Sequence, residues 1–130
     1  MKNLCPCGSL KPYEACCEPY HKHQNAPTCE ALMRSRYSAF VFGFVDYLVQ
    51  TTHPSHRSNH LKEEIALTCK QLAWTHLEVL STWQGQEKDK VGKVSFKALF
   101  MQEGVEGVHE EHSRFKRFGK AWMYVDAEVR

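Results

Sequence analysis

Four of the six cysteines fall within the first seventeen residues, as Cys5-Pro6-Cys7 and then, after eight residues, Cys16-Cys17. A lobe this short cannot build an apolar core, so its shape depends on whatever ties the sulfurs together. Disulfides belong to oxidising compartments, and the opening Met1-Lys2-Asn3-Leu4-Cys5 has no apolar leader. The expectation is the reducing cytoplasm, where clustered thiols are better explained by a metal than by disulfides. Zinc is the first choice, because thiolates close a tetrahedral shell around it without redox chemistry. The competing reading is a redox or incidental cluster. Gly8 to Tyr13 supplies a turn and a helix start that would fold the second pair back onto the first, while Cys29 and Cys69 stand alone in helical patterns.

The 130 residues suffice for one domain with a small appendage. With 42% hydrophobic and 12% aromatic residues the chain can fill a core, which excludes wholesale disorder. Lys and Arg total 17 against 15 Asp and Glu, with no basic tail or acidic arm, so neither nucleic acid nor a membrane surface is an expected partner. The longest apolar run, Ala39 to Val45, is far too short to span a bilayer, which needs about 20 residues.

Hydrophobic periodicity divides the remainder into helices and then strands. Glu18 to Pro27 reads as a linker. Thr28 is an N-cap for a helix to about Phe42, stopped by Gly43. At 100° per residue Leu32, Met33, Phe40 and Phe44 share a face with Arg36 and Tyr37 inside it, and Arg34 lies at its edge, nearer solvent. Val45 to Thr52 forms a second helix closed off by Pro54, and Leu61, Ile65, Cys69 and Leu72 stripe a third. From Trp74 the period becomes two. Leu77, Val79, Ser81 and Trp83 mark one strand face, and Val94, Phe96, Ala98 and Phe100 the next. His109, Glu111, Ser113 and Phe115 mark a third, and Trp122, Tyr124 and Asp126 a fourth, with turns at Gln84 to Asp89, Gly104 to Gly107 and Phe118-Gly119. Helices followed by an antiparallel meander give the α+β class.

The residues also resemble a known family. Cys5-Pro6-Cys7-Gly8-Ser9, Lys11-Pro12-Tyr13 and Cys16-Cys17 are similar to the SEC-C zinc motif. Leu32 to Phe40, Asp46-Tyr47-Leu48, Thr52-His53-Pro54, His112 to Phe115 and Trp122 to Asp126 resemble the bacterial YchJ family. The resemblance implies a zinc knuckle over residues 1–22 and a cone-shaped α+β domain of the nuclear transport factor 2-like (cystatin-like) class over 23–130, and it implies no particular activity. It makes Cys5, Cys7, Cys16 and Cys17 the zinc ligands. His21 or His23 remains an alternative to Cys17, because histidine binds zinc as well and adjacent cysteines constrain the backbone. Leu10 stands where the motif usually has glycine, and a branched side chain disfavours a positive φ there.

A curved sheet over a helix encloses a cone. Arg36, Tyr37, His53 and Glu111, with His109 and Ser113, are expected to converge there among Trp83, Phe96, Phe115 and Trp122. His53 and Glu111 are the candidate proton carriers. Each has a structural reading beside it. Arg36 on an apolar face is most often simply paired, with Glu111 able to serve; His53 before Pro54 could only cap a helix end; and the aromatics are what strand packing requires. Adjacent residues of His109 to His112 point to opposite faces, so they make no metal site. Two functions follow from these residues. The first is an adaptor whose knuckle presents exposed Lys2, Lys11 and Tyr13 to a protein partner. The alternative is a small-molecule binder, or an enzyme of the lyase or isomerase type, using the cone. A closed four-thiolate zinc has no open position and is not itself catalytic in either.

Overall fold

The computed structural model describes residues 3–129, the side chain of Val129 excepted. The N-terminal lobe is a loop pinched by a bridge between Leu4 and Pro12, followed by a 3-10 turn at Tyr13–Ala15 and one turn of helix, α1 (Glu18–His21). Then come α2 (Cys29–Phe42), α3 (Val45–Gln50) and α4 (Leu61–Gln71), with a 3-10 turn at Pro54–His56. The helix ends follow the local chemistry read from the sequence. The Thr28 hydroxyl accepts the Ala31 amide at 3.1 Å, and Gly43 terminates α2 at φ 76°, a left-handed value suited to glycine. Among the described residues no helix is long and apolar enough to cross a membrane.

The strands β1 (Ala73–Gln84), β2 (Val91–Gln102), β3 (Val105–Phe118) and β4 (Ala121–Val129) form an antiparallel meander in sequence order. The α+β expectation is therefore met. Three irregularities curl the sheet: between Trp74 and His76, between Val79 and Ser81, and opposite Arg114 and Phe115, where Val125 is the extra residue. Each inserted residue kinks its strand and increases the local twist, which bends a flat sheet into a cone. The β2–β3 turn is Glu103-Gly104. Gly107 lies inside β3 rather than in that turn, beneath the Phe100 ring, where an added Cβ would approach Cζ within 2.3 Å.

Helix α2 runs through the middle of the molecule and is covered on two sides. Leu32, Met33 and Tyr37 join Leu77, Val94, Ala98, Phe115 and Trp122 in the main core, which also takes in Cys5, Cys7 and Cys17. Ala39, Leu48 and Ile65 form a smaller cluster between α2, α3 and α4. Ser35 and Ser38 are fully buried on the side of α2 that faces the knuckle and α3.

Candidate functional site

The sulfurs of Cys5, Cys7, Cys16 and Cys17 lie within 4.8 Å of one another. Cys7 and Cys16 are 3.6 Å apart, and Cys16 and Cys17 4.0 Å. A tetrahedral metal bound at about 2.3 Å places its sulfurs about 3.8 Å apart, so the spacing fits a four-thiolate shell. Local backbone chemistry brings the two pairs together. The Cys5 amide donates to the Lys11 carbonyl at 2.8 Å, and Gly8 and Leu10 turn the chain at φ 80° and 68°. Leu10 thus adopts the left-handed conformation that its side chain disfavours, with that side chain 79% exposed. Gly8 also lies against β1, where a Cβ would meet the Leu77 carbonyl at 3.3 Å.

Neither histidine substitutes for Cys17. Both ring nitrogens of His21 are occupied: Nε2 donates to the Ser35 carbonyl at 2.8 Å, and Nδ1 accepts from the Tyr13 hydroxyl at 2.7 Å. His23 is exposed and outside the cluster. Around the sulfurs sit partners that the sequence did not reveal. The Ser9 hydroxyl lies 3.1 Å from the Cys16 sulfur, and the Ser38 hydroxyl lies 3.4 Å from both Cys5 and Cys17. The Arg34 guanidinium donates to the Cys7 carbonyl at 2.7 Å. Crowding separates the thiols electrostatically. Contacts with Cys17 and Cys5 hold Cys7 far below the ordinary thiol range, while contacts with Cys5 and Cys7 push Cys17 up and burial raises Cys16. Four converging soft donors, three of them buried, form a site that could hold a metal ion.

On the other side of α2 the curled sheet encloses a cavity of about 500 Å³. Arg36, Tyr37, Phe96, Glu111 and Phe115 line it, with His109 and Ser113. Arg36 is only 8% exposed. Its Nη1 donates to the Leu48 carbonyl at 2.9 Å and to Thr51 Oγ1 at 2.6 Å, with Thr52 Oγ1 at 3.4 Å, and its guanidinium lies 4.5 Å from the Tyr124 ring centre. Glu111 is not its ion-pair partner. That carboxylate instead accepts from His109 Nε2 at 2.9 Å and from the Ser113 hydroxyl at 2.5 Å. Burial raises the Glu111 pKa, but the hydrogen bonds from His109 and Ser113 outweigh it and hold the group below the usual carboxylate range. Burial pushes the Tyr37 hydroxyl up to about 12, and burial together with the Glu111 charge raises Tyr124.

Three expected cone residues lie elsewhere. Trp83 is 50% exposed on the outer face beside Lys93, because the extra residue between Val79 and Ser81 reverses the strand's phase. Trp122 is fully buried but packs under the start of α2, its indole donating to the Pro27 carbonyl at 3.3 Å and its ring stacked on Arg117. His53 stays near the surface edge-on to Phe118, with Nδ1 on Ser55, and His56 takes the place at the cavity. Trp74 and Tyr124 complete the lining. Trp74 faces inward only because of the irregularity next to it, and its buried Nε1 has no hydrogen-bond partner. The surface expected for a partner also changes: Lys11 is exposed, but Tyr13 is half-buried between His21 and Phe42, and Lys2 lies outside the described residues.

Comparison with known proteins assigns both parts. Residues 28–127 match the family described as YchJ, middle NTF2-like domain, and residues 1–19 match the SEC-C motif. A UPF0225 protein of Vibrio vulnificus is 44% identical over 97% of this chain and 75% of its own length. The UPF0225 protein YchJ of Shigella dysenteriae is 42% identical over 97% and 83%. A solution structure of a SEC-C motif containing protein from Rhodopseudomonas palustris superposes with a TM-score of 0.87 at 34% identity, covering 97% of this chain and 98% of that one. A crystal structure of a second such protein, from Psychrobacter arcticus, gives 0.80 at 30% identity over 95% and 81%. A SEC-C cysteine cluster joined to an NTF2-like cone, matched over nearly the full chain, places this protein in the YchJ (UPF0225) family.

Proposed function

We propose that this chain is a cytoplasmic small-molecule-binding protein, in which a zinc ion held by Cys5, Cys7, Cys16 and Cys17 braces the knuckle and the ligand enters the cone. The observation that carries the reading is an open cavity lined by aromatics and by a few converging polar groups, Arg36, His109, Glu111 and Ser113. Such a mixture is the usual form of a ligand site, whereas a cone with a structural role alone would be filled by side chains. Four soft sulfurs at tetrahedral spacing suit zinc, and a closed shell leaves it no position for substrate. All six cysteines are unpaired, which supports the reducing cytoplasm. The adaptor reading has less support, since Tyr13 is covered by its neighbours.

The test uses N-phenyl-1-naphthylamine, a neutral probe that fluoresces in apolar surroundings. It should brighten with the native protein and stay dim with Ala98→Trp, which fills the cavity wall. Equal signals from the two proteins, or none from either, overturn the reading.

A second reading, an enzyme of the lyase or isomerase type, is favoured by one contact. Glu111 accepts the Nε2 proton of His109, which leaves Nδ1 as an acceptor without a protein partner among the described residues. A carboxylate that fixes the tautomer in this way leaves Nδ1 as the atom that takes a proton, and His109 lines the cavity where His53 does not, so His109 replaces His53 as the proton carrier.

A further inference from the structure

Arg36 is more than nine-tenths buried, yet no ion pair forms to it among the described residues. All its hydrogen bonds leave from one nitrogen: Nη1 meets Leu48, Thr51 and Thr52, while Nε and Nη2 have no protein partner among the described residues. Its hydrogen bonds all go to neutral acceptors, while the Tyr124 ring and the Glu111 charge act on it without a hydrogen bond, and the free edge of its guanidinium is a planar fork of two donors shaped for an anion. Glu111 does not fill it, being committed to His109 and Ser113.

Resting on the reading of the cone as a ligand site, we infer that the cone takes a small monocarboxylate with an apolar body, its carboxylate seated on the free Nε and Nη2 edge of Arg36. The rest of the cavity sets the remaining features. Among the described residues Arg36 is the only lysine or arginine that lines the cavity, and Glu111 would repel a second negative charge, so a monoanion fits better than a phosphate dianion. Tyr37, Phe40, Phe96 and Phe115 offer apolar surface to the body of the ligand.

The experiment compares 4-phenylbutyrate, its primary amide and inorganic phosphate by calorimetry at pH 7.5, on the native protein, Arg36→Lys and Arg36→Met. The native protein should bind the acid about tenfold or more tightly than the amide, the difference expected of hydrogen bonds to a charged group. Arg36→Met should bring acid and amide together, and Arg36→Lys should retain part of the gap. If Arg36→Met does not fold, the acid and amide comparison on the native protein decides alone. Equal affinity for acid and amide overturns the assignment, as does phosphate binding as tightly as the acid. N-phenyl-1-naphthylamine that binds while acid and amide remain equal removes the Arg36 fork and leaves the cone a ligand site. Failure of the neutral probe as well removes both.

Discussion

Arg34 sits at the edge of the apolar face of α2, where the helical wheel suggests a solvated charge, but it clamps the knuckle to the helix. Its Nη1 holds the Cys7 carbonyl at 2.7 Å and its Nε reaches Glu30 at 3.0 Å. The two contacts differ in weight. A hydrogen bond from a charged donor nets about 1.5–3 kcal/mol, and the 23% exposure of the Arg34 side chain argues for the lower half, about 2 kcal/mol. The exposed i,i+4 pair with Glu30 is worth about 0.3–0.5 kcal/mol. Because the knuckle has almost no core of its own, its docking on α2 would be coupled to binding of the proposed metal, and the lost clamp should appear as lost metal affinity. Arg34→Ala should weaken binding of the proposed zinc about 30-fold and Glu30→Ala about twofold. Competition against a chromogenic chelator at pH 7.5 reads both, with circular dichroism confirming that the strands persist. Arg34→Ala within twofold of the native protein, or Glu30→Ala as damaging as Arg34→Ala, would show that the clamp does not support the metal.

Leu10→Gly should tighten the metal site. A non-glycine residue at φ 68° costs about 1–2 kcal/mol, glycine returns about 0.5–1 kcal/mol as unfolded-chain entropy, and the exposed Leu10 side chain gives up little packing. A gain of about two- to fivefold in the same competition is expected, and no gain or a loss refutes the strain. Glu111 predicts an acid limb in stability. Its folded pKa is depressed, so its contribution is present above the ordinary range of an unfolded glutamate and is lost as the pH falls through the lower folded value. Urea midpoints measured from pH 6 to pH 3 should fall less steeply for Glu111→Gln, and an unchanged slope would contradict the hydrogen-bonded carboxylate.

What the sequence disclosed, it disclosed through short-range chemistry. The cysteine pairs sit close together along the chain, and Thr28 and Gly43 are local signals for the ends of a helix, so knuckle and α2 were both legible. Strand content was legible for the same reason. Strand phase was not, because it fails wherever one residue is inserted, and the insertions come from closing the cone rather than from any local preference. The irregularity after Val79 carries Trp83 outward, and the one before His76 turns Trp74 inward. The extra Val125 takes Asp126 off the Tyr124 face and onto Arg114, which holds it with two hydrogen bonds. His53 and His56 are separated by a single tight turn, and nothing in the residue order says which one the turn offers to the cavity.

The weak amphipathicity of α2 has a physical cause, since the helix has two fronts. Arg34, Ser35 and Ser38 lie on one, where they bond the Cys7 carbonyl, the Tyr47 hydroxyl and the Cys17 sulfur. Met33, Arg36, Tyr37 and Phe40 lie on the other and line the cone. A helix with a single buried face would have no use for Ser35 and Ser38 at zero exposure, because a buried hydroxyl is costly unless it is hydrogen-bonded. Here each is hydrogen-bonded, and Ser38 reaches two of the four thiols. A metal at the cysteines needs no open coordination position to matter to the cone. It would fix the back of the helix whose front carries Arg36 and Tyr37, since the knuckle and the pocket stand on opposite sides of the same fourteen residues.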